Sequence, residues 1–209
     1  MGLLEEPFAR LLEELSSGRP TPGGGAAAAL SGAVAAALVE MVAVLTLGKE
    51  GYEAVRGEME QIQTEAEGLL SRLAELIEAD ATAFEGVMAA YRLPKGDPAR
   101  RREIEEALKR ACAVPLETAE QCLQVLELAE VVASRGNKSA ASDAGSAGIL
   151  AAAGLESALL NVRTNLKSIK DEGFRRGCER QAEELAASGR RLKERILEVM
   201  EVRQGRSAG

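Results

Sequence analysis

The sequence predicts an all-α protein, one domain over residues 1–209, built as a bundle of about six helices with two small-residue helices at its centre. Three observations carry this. Ala, Leu, Glu and Arg dominate the whole chain, and each is a strong helix former. No run of alternating Val, Ile and Thr bounded by turn residues marks a strand. The Gly/Pro-rich breaks fall between long segments of helical period, and 209 residues is enough for one good-sized core.

The first helix is expected over Leu3–Leu15, where an acidic amphipathic run stops at "SSGRPTPGGG". The second runs from Gly24 to Leu47, on little more than Ala, Val, Leu and Gly, and ends near "GKEG". The third spans Tyr52–Tyr91, with Leu69, Leu73, Leu76 and Ile77 at helical spacing. Two prolines and a glycine in "RLPKGDPARR" break it. The fourth starts after Pro98 and runs to Ala133, with a bend expected at Pro115. The segment "SRGNKSAASD" is the next break, where Ser142 or Asp143 is placed to cap the fifth helix, which runs to Ile169. The sixth covers Glu172–Val202, and "GRSAG" is expected to fray. The second and fifth helices are rich in small residues, which let backbones approach closely, so they belong at the centre or in a subunit interface.

Composition excludes several functions. The net charge of -7, from 26 Lys+Arg against 33 Asp+Glu, argues against a nucleic-acid partner. The chain has no histidine, which removes His-based triads and imidazole acid–base chemistry, and most zinc or iron sites with them. Cys112, Cys122 and Cys178 form no C-x-x-C and read as buried free thiols in a reducing compartment. The acidic amphipathic start is unlike a signal peptide, so a cytoplasmic location is expected. The second helix is long enough to cross a bilayer, but Glu40 inside it would cost about 2.5–3.5 kcal/mol, and a membrane location is not expected.

Chemistry has four candidate locations. Gly23, Gly25 and Ala28 satisfy G-x-G-x-x-A, yet a helix precedes them instead of a strand, so the dinucleotide reading fails. Gly23, Gly24 and Gly25 still expose N–H groups at a helix start, suited to a carbonyl or carboxylate, or serve only to let the helix pass tightly beneath a loop. In "RGNKSAASD", Asn137 and Asp143 are either capping residues or a polar site. Asn161 and Asn165 share one face of the fifth helix, so that face meets something polar, either a partner helix or a ligand. The fourth location is the basic loop holding Arg92, Lys95, Arg100, Arg101 and Arg102, a local patch for a small polyanion or merely a solvated loop. Upstream, Asp80 and Phe84 are four residues apart. Asp143 and Asn161 are five turns apart, about 27 Å along one helix, and cannot touch one reacting atom. Either a long ligand or two subunits would join them.

Together "PTPGGGAAAALSGAVAAALVEMVAVLT", "DATAFEGVMAAYRLPK" and "GNKSAASDAGSAGILAAAGLESALLNVRTNL" resemble the cyclodeaminase domain of formiminotransferase-cyclodeaminase and its stand-alone bacterial relatives, over residues 20 to about 167. The resemblance implies an all-α homodimer acting on a folate. Its usual reaction closes 5-formiminotetrahydrofolate to 5,10-methenyltetrahydrofolate with release of ammonia; the alternatives are methenyltetrahydrofolate cyclohydrolase and a non-catalytic folate-binding dimer. Three residues depart from the family pattern: Val44 for Asn, Ser139 for a second Asn, and Ala26 for Ser. The amidine carbon of the substrate is already electrophilic, so no metal or cofactor is expected. Asp143 is then the first candidate for proton transfer or cation stabilisation, and Asp80 the second. The glycine N–H groups would hold a pterin or glutamate oxygen, with Asn137, Asn161 and Asn165 completing the polar pocket and Lys95 attracting the glutamate tail.

Overall fold

The computed structural model describes residues 8–203, and every regular element in that range is helical. The helices are α1 (Phe8–Ser16), α2 (Gly24–Leu47), α3 (Arg56–Arg92), α4 (Arg100–Arg135), α5 (Ala141–Leu166) and α6 (Glu172–Arg203). Single 3-10 turns precede α3 (Glu53–Val55) and α5 (Lys138–Ala140). The expected start of the first helix at Leu3 and the expected fraying of "GRSAG" lie outside the described residues.

Side-chain contacts give the directions. Asp80 of α3 meets Ala26 of α2, and Arg72 of α3 reaches Glu117 of α4. Asn165 of α5 reaches Ala111 of α4, and Lys193 of α6 reaches Glu156 of α5. Helices α2 to α6 thus run alternately up and down, the arrangement short connections favour. One core joins all five, drawn from Val39, Leu73, Leu126, Leu155 and Ile196 among others.

Small residues set how closely the central helices pack. A Cβ on Gly154 would lie 2.9 Å from the Ala28 carbonyl oxygen and 2.9 Å from Cys122 Sγ. One on Gly32 would lie 2.6 Å from the same sulfur. The missing side chain at Gly154 therefore lets α5 lie against the α2 backbone, and the one at Gly32 leaves room for Cys122 of α4. Both α2 and α5 are long and apolar enough to span a bilayer by composition, but about half of each apolar stretch is covered by other helices.

Pro115 does not end α4. It is buried, and the helix passes through it. Proline removes the N–H that would bond the carbonyl four residues back, which is that of Ala111. Asn165 Nδ2 donates to that carbonyl at 2.8 Å. The polar partner expected for Asn165 is thus a neighbouring helix, whose backbone needed a donor. Replacing Asn165 by Leu should cost about 1–3 kcal/mol in urea unfolding, the penalty of a buried unpaired carbonyl. In a Pro115→Ala background the backbone bond returns, and the cost of losing Asn165 should shrink towards zero. Equal costs in the two backgrounds would refute this pairing.

Candidate active site

At one end of the bundle the glycine turn meets α3 and α5. The chain enters α2 through Pro20–Gly23, and Gly24 and Gly25 form its first turn. Asp80 of α3 lies against that turn, with Oδ2 accepting the Ala26 N–H at 3.2 Å. A Cβ on Gly25 would lie 2.1 Å from Asp80 Oδ1, so glycine is what admits the carboxylate. The amide of Asn161 completes the cluster: a Cβ on Gly24 would sit 3.4 Å from its Nδ2, which donates to the Ser157 carbonyl at 3.0 Å.

This geometry alters the role of the helix start. The anion that its dipole favours is supplied by the chain itself, as Asp80. The Gly24 and Gly25 N–H groups have no acceptor among the described residues. Burial holds the Asp80 carboxyl above its ordinary range, with the Ala26 N–H opposing part of the shift. The arrangement offers a fixed carboxylate, an amide oxygen and backbone N–H donors within one turn. Thr21 in the same loop has a buried hydroxyl oxygen without a hydrogen-bond partner. Its sequence context carries no signal for that, since burial of one oxygen depends on tertiary packing.

The far end of α2 holds a different cluster. Asn137 N donates to Thr46 Oγ1 at 2.8 Å, Nδ2 donates to the Leu45 carbonyl at 3.2 Å, and Oδ1 accepts the Ser139 N–H at 3.0 Å. The Lys138 N–H donates to the Tyr52 hydroxyl at 3.0 Å. Asn137 is thus a latch between the α4–α5 connection and the end of α2. It also corrects the capping expectation: Asn137 caps the 3-10 turn that precedes α5, and α5 itself, with Ala140 at its N-cap, has no side-chain cap, from Ser142, Asp143 or any other residue. Asp143 is in the first turn of α5, half-buried.

One chain therefore unites Gly23, Gly24, Gly25, Asp80 and Asn161, and leaves Asn137 and Asp143 at the opposite end. Lys95 lies exposed in the α3–α4 connection, without an ion-pair partner among the described residues. Part of the basic cluster is structural: Arg100 donates to the carbonyls of Leu93 and Tyr91, closing the end of α3. Beside it a cleft of about 710 Å³ is lined by Tyr91, Arg101, Arg102 and Lys170 among others. No group of three or more Asp, Glu or Cys side chains suited to a metal ion occurs among the described residues.

Comparison with known proteins joins this geometry to a family. Residues 7–184 match the model described as formiminotransferase-cyclodeaminase. A methenyltetrahydrofolate cyclohydrolase from Methylorubrum extorquens is 45% identical, over 93% of this chain and 96% of its own. The formimidoyltransferase-cyclodeaminase of Sus scrofa is 31% identical over 97% of this chain, which spans only 38% of that longer protein. The crystal structure of formiminotetrahydrofolate cyclodeaminase from Thermotoga maritima superposes with a TM-score of 0.89 at 36% identity, covering 95% of this chain and 98% of the other.

Proposed function

Because the chain belongs to the formiminotransferase-cyclodeaminase family, and so to the folate one-carbon enzymes, we propose that it hydrolyses 5,10-methenyltetrahydrofolate as a cyclohydrolase. The observation that carries this choice is the end-to-end match, at 45% identity, to a protein of that name. Closure of 5-formiminotetrahydrofolate with loss of ammonia, the first expectation from sequence, is the second reading. The likeness to the Thermotoga maritima cyclodeaminase favours it.

Both reactions occur at an amidine carbon. In the hydrolysis, water adds to the carbon between N5 and N10 and gives one proton to a base; the N5–carbon bond then breaks as N5 takes a proton and the new hydroxyl loses its own to become the formyl C=O. Asp80 is the base in this reading. The Ala26 N–H fixes its orientation, and burial moves its pKa towards the working range of a general base. It also opposes the positive charge of the methenyl group in the ground state, which orients the substrate carbon over the carboxylate. The free Gly24 and Gly25 N–H groups and the Asn161 amide oxygen would hold the pterin. Lys95 and the cleft beside Arg101 and Arg102 would attract the glutamate carboxylates.

A homodimer accounts for Asp143. The exposed faces of α2 and α5 carry Val34, Met41, Val44, Leu45, Ile149 and Leu160, all more than a third exposed. Exposed apolar residues on two neighbouring helices suit a protein contact surface. Ser31 Oγ donates to the Leu150 carbonyl along the seam of the two helices. A two-fold axis lying across the helices would bring Asp143 of one copy to the glycine end of the other. The folate would then lie between two cytoplasmic subunits, with the Asp143 carboxyl group as the second acid–base group, carrying a proton to N5.

An absorbance assay at the methenyl chromophore tests the choice, with each folate supplied in turn. Chromophore loss above the spontaneous rate is expected with 5,10-methenyltetrahydrofolate. Chromophore gain with ammonia release from 5-formiminotetrahydrofolate, and no catalysed loss in the other arm, would replace cyclohydrolase by cyclodeaminase. Tight folate binding with neither change would make the protein a binder.

A further inference from the structure

We propose that Tyr52 is a positioning residue for the Asp143 half of the active site, a role that rests on the shared-site reading above. The Tyr52 hydroxyl accepts the Lys138 N–H at 3.0 Å, across 86 residues of chain. That bond joins the α2–α3 connection to the first residue of the 3-10 turn Lys138–Ala140. Asp143 follows directly, in the first turn of α5. Tyr52 thus props the segment that carries the second carboxyl group.

Other elements hold the chain only up to the start of this turn. Arg135 pairs with Glu58 at 2.8 Å, and Arg203 donates to the carbonyls of Ser134 and Gly136. Asn137 is tied to Thr46 and Leu45. Within the turn, Asn137 accepts the Ser139 N–H at its side chain and the Ala140 N–H at its carbonyl. The Lys138 N–H is the remaining donor, and Tyr52 takes it. Among the described residues, no other side chain from outside the α4–α5 connection hydrogen-bonds to Lys138, Ser139 or Ala140.

The prop is itself fixed. Gly51 has a φ of +91°, a left-handed backbone that favours glycine, and its N–H donates to Glu53 Oε1 at 3.0 Å. The Val55 N–H closes the next 3-10 turn on the Tyr52 carbonyl at 3.1 Å, and the Tyr52 side chain is half-buried. Phenylalanine would keep the ring and remove only the acceptor. The Lys138 N–H would then turn to water, and the Asp143 segment would gain freedom relative to α2 and α3. A carboxyl group that must meet a substrate held by another subunit tolerates little of this, since a shift of about 1 Å costs up to about 10²-fold in rate.

Tyr52→Phe should remain folded and lower kcat by about 3–10-fold, the worth of one hydrogen bond, with KM little changed. Subunit exchange with the two carboxylate variants separates this role from a general loss of packing. Mixed with Asp80→Asn, half of the dimers gain one site with every group intact, and activity should rise about two- to fivefold over the unexchanged mixture. Mixed with Asp143→Asn it should not rise, because neither copy then brings an intact Asp143 half. A rise with Asp143→Asn instead would place Tyr52 with Asp80 and overturn the proposal. So would wild-type turnover in folded Tyr52→Phe. Asp80→Asn mixed with Asp143→Asn is the control. If it regains activity and Tyr52→Phe with Asp80→Asn does not, the role of Tyr52 alone is refuted. If the control regains nothing, the shared site fails and the role of Tyr52 fails with it.

Discussion

Replacing Asp80 by Asn is expected to lower kcat by about 10²–10⁴-fold, the usual contribution of a positioned base. Asparagine keeps the shape and an oxygen that can accept the Ala26 N–H, so the glycine turn should remain intact. Stability should not fall. Burial raises the Asp80 pKa, so the folded state disfavours its ionised form. That ionised form costs stability as pH rises from the unfolded towards the folded pKa, and the neutral amide removes the cost. Turnover needs the carboxylate, so the wild-type rate should fall as pH drops through a value above the ordinary carboxylate range. This acid limb should vanish in the variant. A folded Asp80→Asn chain with wild-type turnover and an unchanged pH profile would remove Asp80 from catalysis.

Mixing two inactive variants tests whether the site is shared between copies. Asp80→Asn and Asp143→Asn chains are each expected to lose turnover. After subunit exchange, half of the dimers carry one of each, and each such dimer has one site with both carboxylates. About a quarter of wild-type activity should return. If Asp143 acted within its own chain, mixing would restore nothing; if it did not act at all, the Asp143→Asn chain would turn over before mixing. The separation along α5 makes this test decisive, because about 27 Å lies between the turns that carry Asp143 and Asn161.

Asn161 and Asn165 illustrate how far sequence reasoning reaches. Their shared face and their need for polar partners followed from spacing alone. Which partner each found did not. Asn165 answers a carbonyl exposed by Pro115, fifty residues away in the chain, and only the packing of α5 on α4 shows the two together. Asn161 keeps its amide oxygen at the glycine turn. Similarly, Asn137 stood out as turn chemistry, and its latch to Thr46 and Leu45 required the end of α2 to be placed beside it. Val44, one of the three departures from the family pattern, lies on the exposed apolar face and not beside Asp80.

By itself the sequence determined the all-α class, the helices with their breaks, the burial of the small-residue segments and the absence of imidazole chemistry. Those properties are local, set by propensity, period and composition. Only the tertiary structure decided which carboxylate stands at "PTPGGG". Asp80 and Gly25 are 55 residues apart, and nothing in the spacing marks them as neighbours. They meet because α2 and α3 run antiparallel, and because a position without a Cβ leaves room for a carboxylate where a helix presents its free N–H groups.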